Sequence, residues 1–170
     1  MKKILLFALP LMVMCFASCE KKWTDDSPII QFKDPKFLEG LLSNKSNKLD
    51  KNGDGQISEK EASVVTDVYV ATNDIRNMDE IKYFTALTSL QCYSNQLTSL
   101  DLSKNTALRY LDCSYNQLTE LDLSNNTYLL ELYCTKNPLQ KIILFQKNII
   151  PYSYIDRIIE QYGDIIEYAE

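Results

Sequence analysis

Six residues with oxygen-bearing groups, Asp50, Asn52, Asp54, Gln56, Ser58 and Glu61, fall at positions 1, 3, 5, 7, 9 and 12 of one twelve-residue stretch. Gly55 holds position 6, where a chain wrapping a cation must turn sharply, and Ile57 at position 8 is an apolar plug. Hard oxygen donors in this order suit Ca2+. Asp50, Asn52 and Asp54 would ligate through side chains, Gln56 through its backbone carbonyl, Ser58 through its hydroxyl or a bridging water, and Glu61 bidentately. A second candidate set is Cys92, Cys113 and Cys134, each 21 residues after the last. Three thiols can hold a metal or serve redox chemistry. A strict period, however, repeats any inward core position, and free cysteine packs as a small apolar residue, so this column reads as core. The 170-residue chain has no histidine, which removes Ser-His-Asp and Cys-His catalysis and every His-ligated metal site.

The stretch 50–61 resembles the calcium loop of an EF-hand at every constrained position. The elements expected to hold it are irregular. Asp34-Pro35 opens a helix, with a capping Asp followed by Pro in the first turn. Phe37, Leu38, Leu41 and Leu42 give that helix an apolar face, and Ser43 to Lys48 interrupt it before the loop. The exit helix runs from Glu59 to about Val64. No second loop of this kind follows, and a lone extracellular loop binds weakly, with a Kd of ~10⁻⁴–10⁻³ M. With no partner and little to open, its role is expected to be structural rather than sensory.

The body of the chain is a repeat. Leu87-Thr-Ser-Leu90-Gln-Cys92-Tyr-Ser-Asn95-Gln-Leu97 recurs as Leu108-Arg-Tyr-Leu111-Asp-Cys113-Ser-Tyr-Asn116-Gln-Leu118, and again as Leu129-Leu-Glu-Leu132-Tyr-Cys134-Thr-Lys-Asn137-Pro-Leu139. A degenerate copy, Val65 to Ile75, begins 22 residues before the first. The pattern L-x-x-L-x-L/C-x-x-N-x-L is that of leucine-rich repeats. Its Leu-x-Leu/Cys step turns alternate side chains inward, so one short strand per coil stacks into a parallel sheet. Asn73, Asn95, Asn116 and Asn137 are expected to satisfy backbone groups of the turn and of neighbouring coils. Leu97, Leu100 and Leu102, then Leu118, Leu121 and Leu123, then Leu139, Ile142 and Leu144 close each coil on the convex side.

The 21-residue unit resembles the cysteine-containing leucine-rich repeats of bacterial surface proteins, including internalin-like adhesins and Gram-negative surface lipoproteins, over about residues 65–148. That resemblance implies a non-enzymatic binding module displayed on a cell surface, with no particular ligand. The expected fold is an α/β repeat, a leucine-rich-repeat solenoid of about four coils with its parallel sheet on the concave face. An EF-hand-like helical cap at 34–64 would cover one end, because open solenoid ends expose strand edges and apolar surface. A C-terminal cap at 149–170 would cover the other. There Tyr154, Ile155, Ile158, Ile159 and Tyr162 share a helical face from about Pro151 to Gly163, and Ile165, Ile166 and Tyr168 offer a last strand or tail.

Lys2 and Lys3 followed by the apolar run Ile4 to Val13 read as a signal peptide, too short to span a bilayer as a stable helix. Phe16-Ala17-Ser18-Cys19 resembles the lipobox of bacterial lipoproteins, in which the cysteine is diacylated and becomes the mature N-terminus. Phe16 departs from the usual Leu, and the alternative is an ordinary secretory signal with Cys19 incidental. Two acyl chains anchor a protein stably. Residues 1–19 are then a lipoprotein signal peptide with lipidated Cys19, and 20–33 a charged tether. The protein is expected at the bacterial outer membrane or cell surface, held to the membrane by its lipid anchor.

Residues between the inward positions of each strand face outward. Tyr69, Gln91, Asp112 and Tyr133 form one column, and Ala71, Tyr93, Ser114 and Thr135 form the next. Asp67, Ser89, Tyr110 and Glu131, and Thr72, Ser94, Tyr115 and Lys136, flank them. Tyr69, Tyr93, Tyr110, Tyr115 and Tyr133 are the candidate ligand contacts. Tyrosine gives rigid contact area with a polar tip and suits protein or carbohydrate recognition, although strands favour it on their own account. The net charge of −5, from 18 basic and 23 acidic side chains, argues against a nucleic-acid partner. Asp101 and Asp122 invite a glycosidase reading, but they repeat with the coil. The expected function is a surface-anchored, non-enzymatic binding or adhesion lipoprotein, a monomer with a structural calcium site and a protein or carbohydrate partner. The alternative is a purely structural envelope lipoprotein with no external ligand.

Overall fold

The structure, a computed structural model, describes residues 25–43, 49–145 and 162–169. Each coil contributes an x-Leu-x step whose central side chain turns inward and whose neighbours turn outward, the period of a strand. The strands are β1 (Asp67–Tyr69), β2 (Ser89–Gln91), β3 (Tyr110–Asp112), β4 (Glu120–Leu123), β5 (Glu131–Tyr133), β6 (Lys141–Phe145) and β7 (Ile166–Ala169). β1, β2, β3 and β5 form one parallel sheet in that order, and β4, β6 and β7 form another. The protein is thus a parallel-strand solenoid of about four turns, a short leucine-rich-repeat fold.

Register follows the sequence period. Val68, Leu90, Leu111 and Leu132 are partners across the first sheet and all are buried. Leu121 pairs with Ile142 and Leu123 with Leu144 in the second, again buried. Each such side chain contributes ~1.5–3 kcal/mol by leaving water, which makes a one-residue slip, exposing the whole column, prohibitive. The first coil is irregular on its convex side. A 3-10 helix, Asp79–Tyr83, stands there, with Ile81 and Phe84 buried.

Two asparagine ladders run along the axis. The side-chain Nδ2 of Asn116 donates to the carbonyls of Cys92 (3.1 Å) and Cys113 (3.0 Å), and its Oδ1 accepts from the Leu97 N–H (3.0 Å). Asn95 and Asn137 do the same one coil away. The second ladder uses Asn105, which donates to the carbonyls of Ile81 and Phe84, and Asn126, which donates to those of Leu102 and Asn105. Thr72, Ser94, Tyr115 and Lys136, one per coil, take a left-handed backbone with φ of 54–59°, which lets the chain leave each strand.

At the N-terminal end, α1 (Pro35–Ser43) starts where expected and is capped by Asp34. Oδ1 of Asp34 accepts from the Lys36 N–H at 2.9 Å, while Oδ2 accepts from the N–H groups of Arg76 (2.6 Å) and Asn77 (3.2 Å). One carboxylate therefore ends the helix and ties it to the first coil. Phe37 packs fully buried between Phe32 and Phe84, at ring-centroid distances of 5.4 and 6.4 Å. The short α2 (Glu59–Ser63) carries a complete capping box between Ser58 and Glu61. At the other end, the helix expected from about Pro151 lies outside the described residues. The final residues do form a strand: β7 pairs with β6, Ile166 beside Ile142 and Tyr168 beside Leu144.

Candidate functional site

Five of the six oxygen donors of the 50–61 stretch lie between α1 and α2, and the sixth, Glu61, stands in the first turn of α2. Gly53 and Gly55 turn the loop with φ of 76° and 77°, and a Cβ at either would meet nothing, so both are chosen for backbone freedom. Asp50 organises the turn: Oδ1 accepts from the N–H groups of Gly53 (2.7 Å) and Asp54 (3.1 Å), and Oδ2 from that of Gly55 (2.8 Å). Asn52 and Asp54 are linked side chain to side chain at 2.9 Å, and Asp54 Oδ1 accepts from the Gln56 N–H. Asp50, Asn52 and Asp54 are thus brought together near solvent.

Ser58 and Glu61 are different, each only 1% exposed. Glu61 Oε1 accepts from the Lys51 N–H (2.7 Å) and Oε2 from the Ser58 N–H (2.9 Å). The all-oxygen donor set fits a hard divalent cation, and Asp50 Oδ2 and Glu61 Oε1, each accepting one N–H, keep a lone pair beyond these bonds, whereas Asp50 Oδ1 already accepts two. Glu61 is nevertheless turned to Lys51 and Ser58, and among the described residues no three Cys, Asp or Glu side chains stand close enough together to hold a metal ion.

Residues outside the loop complete its surroundings. The segment expected as a free tether over 20–33 is docked from Asp25 onward. Ile29 bridges Ser58 in antiparallel fashion, the Ile30 N–H donates to the Ile57 carbonyl (2.9 Å), and the Glu59 N–H donates to that of Pro28 (2.9 Å). The Ser58 hydroxyl donates to Asp25 Oδ2. Desolvation raises the Asp25 pKa, but hydrogen bonds from Ser27 and Ser58 outweigh it and hold the carboxyl below its ordinary value. Nothing local in the sequence marked Asp25, because its partner lies 33 residues away.

On the concave face Asp67, Ser89, Tyr110 and Glu131 are register partners, as are Tyr69, Gln91, Asp112 and Tyr133. Tyr69 and Tyr115 are 45% and 56% exposed, while Tyr93, Tyr110 and Tyr133 are half-buried. Tyr69 and Tyr93 meet edge-to-face at 6.1 Å with hydroxyls 2.8 Å apart, and that bond raises the Tyr93 pKa. Tyr110 and Tyr133 lie 5.6 Å apart. Two members of the column expected to face outward do not: Ala71 and Ser114 are buried, because the chain is already turning into the coil there. Tyr128, exposed beside Arg109 at 6.0 Å, is an aromatic the column reading missed.

Cys92, Cys113 and Cys134 are buried free thiols in one column. Burial pushes Cys134 up to about 12 and raises Cys92 and Cys113 too, which disfavours thiolate, the form that binds metals and attacks disulfides. Asp101 and Asp122 each accept from an N–H two residues on, Ser103 and Ser124, at 2.9 Å. Those carboxylates shape turns. Cys19 lies outside the described residues, and among the described ones no helix is long and apolar enough to cross a membrane.

A family model for leucine-rich repeats, two copies, matches residues 85–125. Among solved structures, the chain is similar to the functional domain of InlJ from Listeria monocytogenes, described as including a cysteine ladder, with 38% identity and a TM-score of 0.50. The match covers 56% of this chain and 21% of that one. It is also similar to structures of the CBM51-2 and INT domains of Clostridium perfringens ZmpB, one of them in complex with GlcNAc, at 20% and 19% identity, TM-score 0.46. Those matches cover 58% of this chain and 21% of each of the others. The chain thus spans about a fifth of the solved structures it matches. No curated protein gives a significant match.

Proposed function

We propose that this chain is a surface-anchored, non-enzymatic leucine-rich-repeat lipoprotein that binds a protein or carbohydrate through its concave face and carries a structural calcium site. The observation that carries the binding role is the register of the first sheet, which sets Tyr69, Tyr110, Tyr133, Asp67, Asp112 and Glu131 side by side on one face. The likeness to InlJ supports a module of the internalin-like kind. Cys19 would carry the anchor, at the outer membrane or cell surface. Asp50, Asn52, Asp54, the Gln56 carbonyl, Ser58 and Glu61 would hold the cation and stiffen the cap over β1.

The binding role is tested by pull-down of envelope or host material, with a variant carrying Tyr93→Ser, Tyr110→Ser and Tyr133→Ser. A partner retained by the native chain and lost by the variant is the expected result; identical retention by both refutes the assignment of this face. One observation favours a structural reading instead: Tyr69 and Tyr93 already hydrogen-bond each other, which uses one of their two hydroxyl hydrogens within the protein. Capture of nothing by the native chain selects that reading. The calcium role is tested by thermal melts in calcium and in excess chelator. For a Kd of ~10⁻⁴ M, 2 mM calcium adds about 1.8 kcal/mol, or about 4–7 °C. Asp50→Ala and Glu61→Ala should each abolish the rise, and an equal rise in both variants refutes the site.

A further inference from the structure

We infer that the calcium site extends beyond its twelve-residue loop: residues 25–30 act as the loop's pairing partner, and Asp25 is its fourth carboxylate. This inference rests on the calcium reading above. A lone loop lacks the second loop whose strand would pair with its position 8. Here Ile57 holds position 8, and its carbonyl is taken by the Ile30 N–H at 2.9 Å within the Ile29–Ser58 antiparallel bridge. The chain's own N-terminal segment therefore fills the place of the missing strand. Ile30 and Ile57 are both buried at this junction, so the pairing is packed as well as hydrogen-bonded.

Asp25 is built into the same junction. Its Oδ1 accepts from Ser27 N–H (2.9 Å) and Oγ (2.6 Å), and the Lys60 N–H donates in turn to Ser27 Oγ (3.2 Å). Its Oδ2 accepts a hydrogen bond from the Ser58 hydroxyl. That bond decides the chemistry of position 9. A hydroxyl has one hydrogen and two lone pairs. Glu61 Oε2, at 3.1 Å, is the longer of the hydroxyl's two acceptors; with the hydrogen turned to Asp25 and one lone pair taken by the Glu61 N–H (3.1 Å), the remaining lone pair is left for a cation or its water. Asp25 thus orients a loop ligand and adds negative charge one hydrogen bond from the site, as outer carboxylates do for metal-bound groups. Calcium binding and docking of residues 25–30 are then reciprocally linked.

The test is calorimetric titration of the protein with calcium alone, native against Asp25→Asn, Ser27→Ala and Asp26→Asn. Asp25→Asn should weaken binding about tenfold, through lost charge and lost orientation of Ser58, and Ser27→Ala about threefold. Asp26→Asn, an exposed acid beside it, should stay within about twofold, since screened surface charge acts weakly. Amide exchange of Ile30 and Glu59 should slow in calcium in the native chain and less so in Asp25→Asn. Native-like affinity in both Asp25→Asn and Ser27→Ala overturns the inference while leaving the calcium loop standing. No saturable binding by the native chain overturns both.

Discussion

Replacing Asn116 with alanine isolates the energetic role of the asparagine ladder. The side chain is buried and makes three well-placed bonds, to the carbonyls of Cys92 and Cys113 and from the N–H of Leu97. The losses are unequal. Cys92 keeps a second donor in Asn95, and Cys113 keeps one in Asn137, so each carbonyl loses only part of its satisfaction. The Leu97 N–H has no such reserve and becomes an orphan donor in the core. An orphaned buried group costs ~1–3 kcal/mol and each half-lost carbonyl bond ~0.5–1 kcal/mol, which gives about 2–5 kcal/mol in total. Asn137→Ala orphans the Leu118 N–H in the same way, but Asn137 is half-exposed. Water then replaces part of the loss, and the expected cost is ~1–2 kcal/mol. Asn125→Ala, at an exposed position, is the control, within ~0.5 kcal/mol of native. Urea unfolding followed by far-UV circular dichroism measures all three, provided the slopes agree. A loss below ~1 kcal/mol for Asn116→Ala, or equal losses at 116 and 137, refutes the argument that buried N–H satisfaction is what the ladder supplies.

Thr72→Gly should stabilise the fold by about 0.5–1 kcal/mol. A β-branched residue there sits at φ 59°, where a non-glycine residue costs ~1–2 kcal/mol, and glycine gives back part of the gain as unfolded-chain entropy. A lower urea midpoint for the variant contradicts this. Acid should weaken the protein through Asp34, Asp79 and Asp101. At Asp34 desolvation raises the pKa, but the N–H bonds from Arg76, Lys36 and Asn77 prevail and lower it. Lys33 lowers Asp79, and the Ser103 N–H lowers Asp101. A depressed carboxylate stabilises the fold fully above its ordinary value of 3.8 and ceases to do so as pH falls through the folded one. The melting temperature should therefore hold down to about pH 5 and drop below about pH 4. A drop centred well above pH 5 points to other groups.

The concave sheet was legible because its period is strict. Val68, Leu90, Leu111 and Leu132 occupy one place in four copies, and the structure pairs them as the alignment does. The turn asparagines were legible for a physical reason, since a buried bend must satisfy its backbone. The second ladder was visible only as a letter in the repeat: Asn105 and Asn126 close a bend that no strand announces. The left-handed turns at Thr72, Ser94, Tyr115 and Lys136 carried no glycine or asparagine to mark them; the coil imposes that conformation from outside. In the first coil the degenerate spacing hid a 3-10 helix at 79–83. At the candidate calcium loop, spacing named the donors, but the docking of Asp25 on Ser58 was out of reach because a short polar segment has no period to align.

Strand partners stand only 21, 22 or 24 residues apart throughout both sheets. That regularity reaches beyond the folded chain to the gene. Recombination between repeats of one period adds or removes 21 codons at a time, and every inward strand position, thiol and ladder asparagine of the altered chain meets an equivalent neighbour. Its reach can therefore lengthen or shorten by inheritance while the inward residues keep equivalent surroundings, provided the two ends travel unaltered. The irregular ends, where Asp34, Phe37 and β7 make contacts that no other coil repeats among the described residues, are the parts such exchange must leave intact.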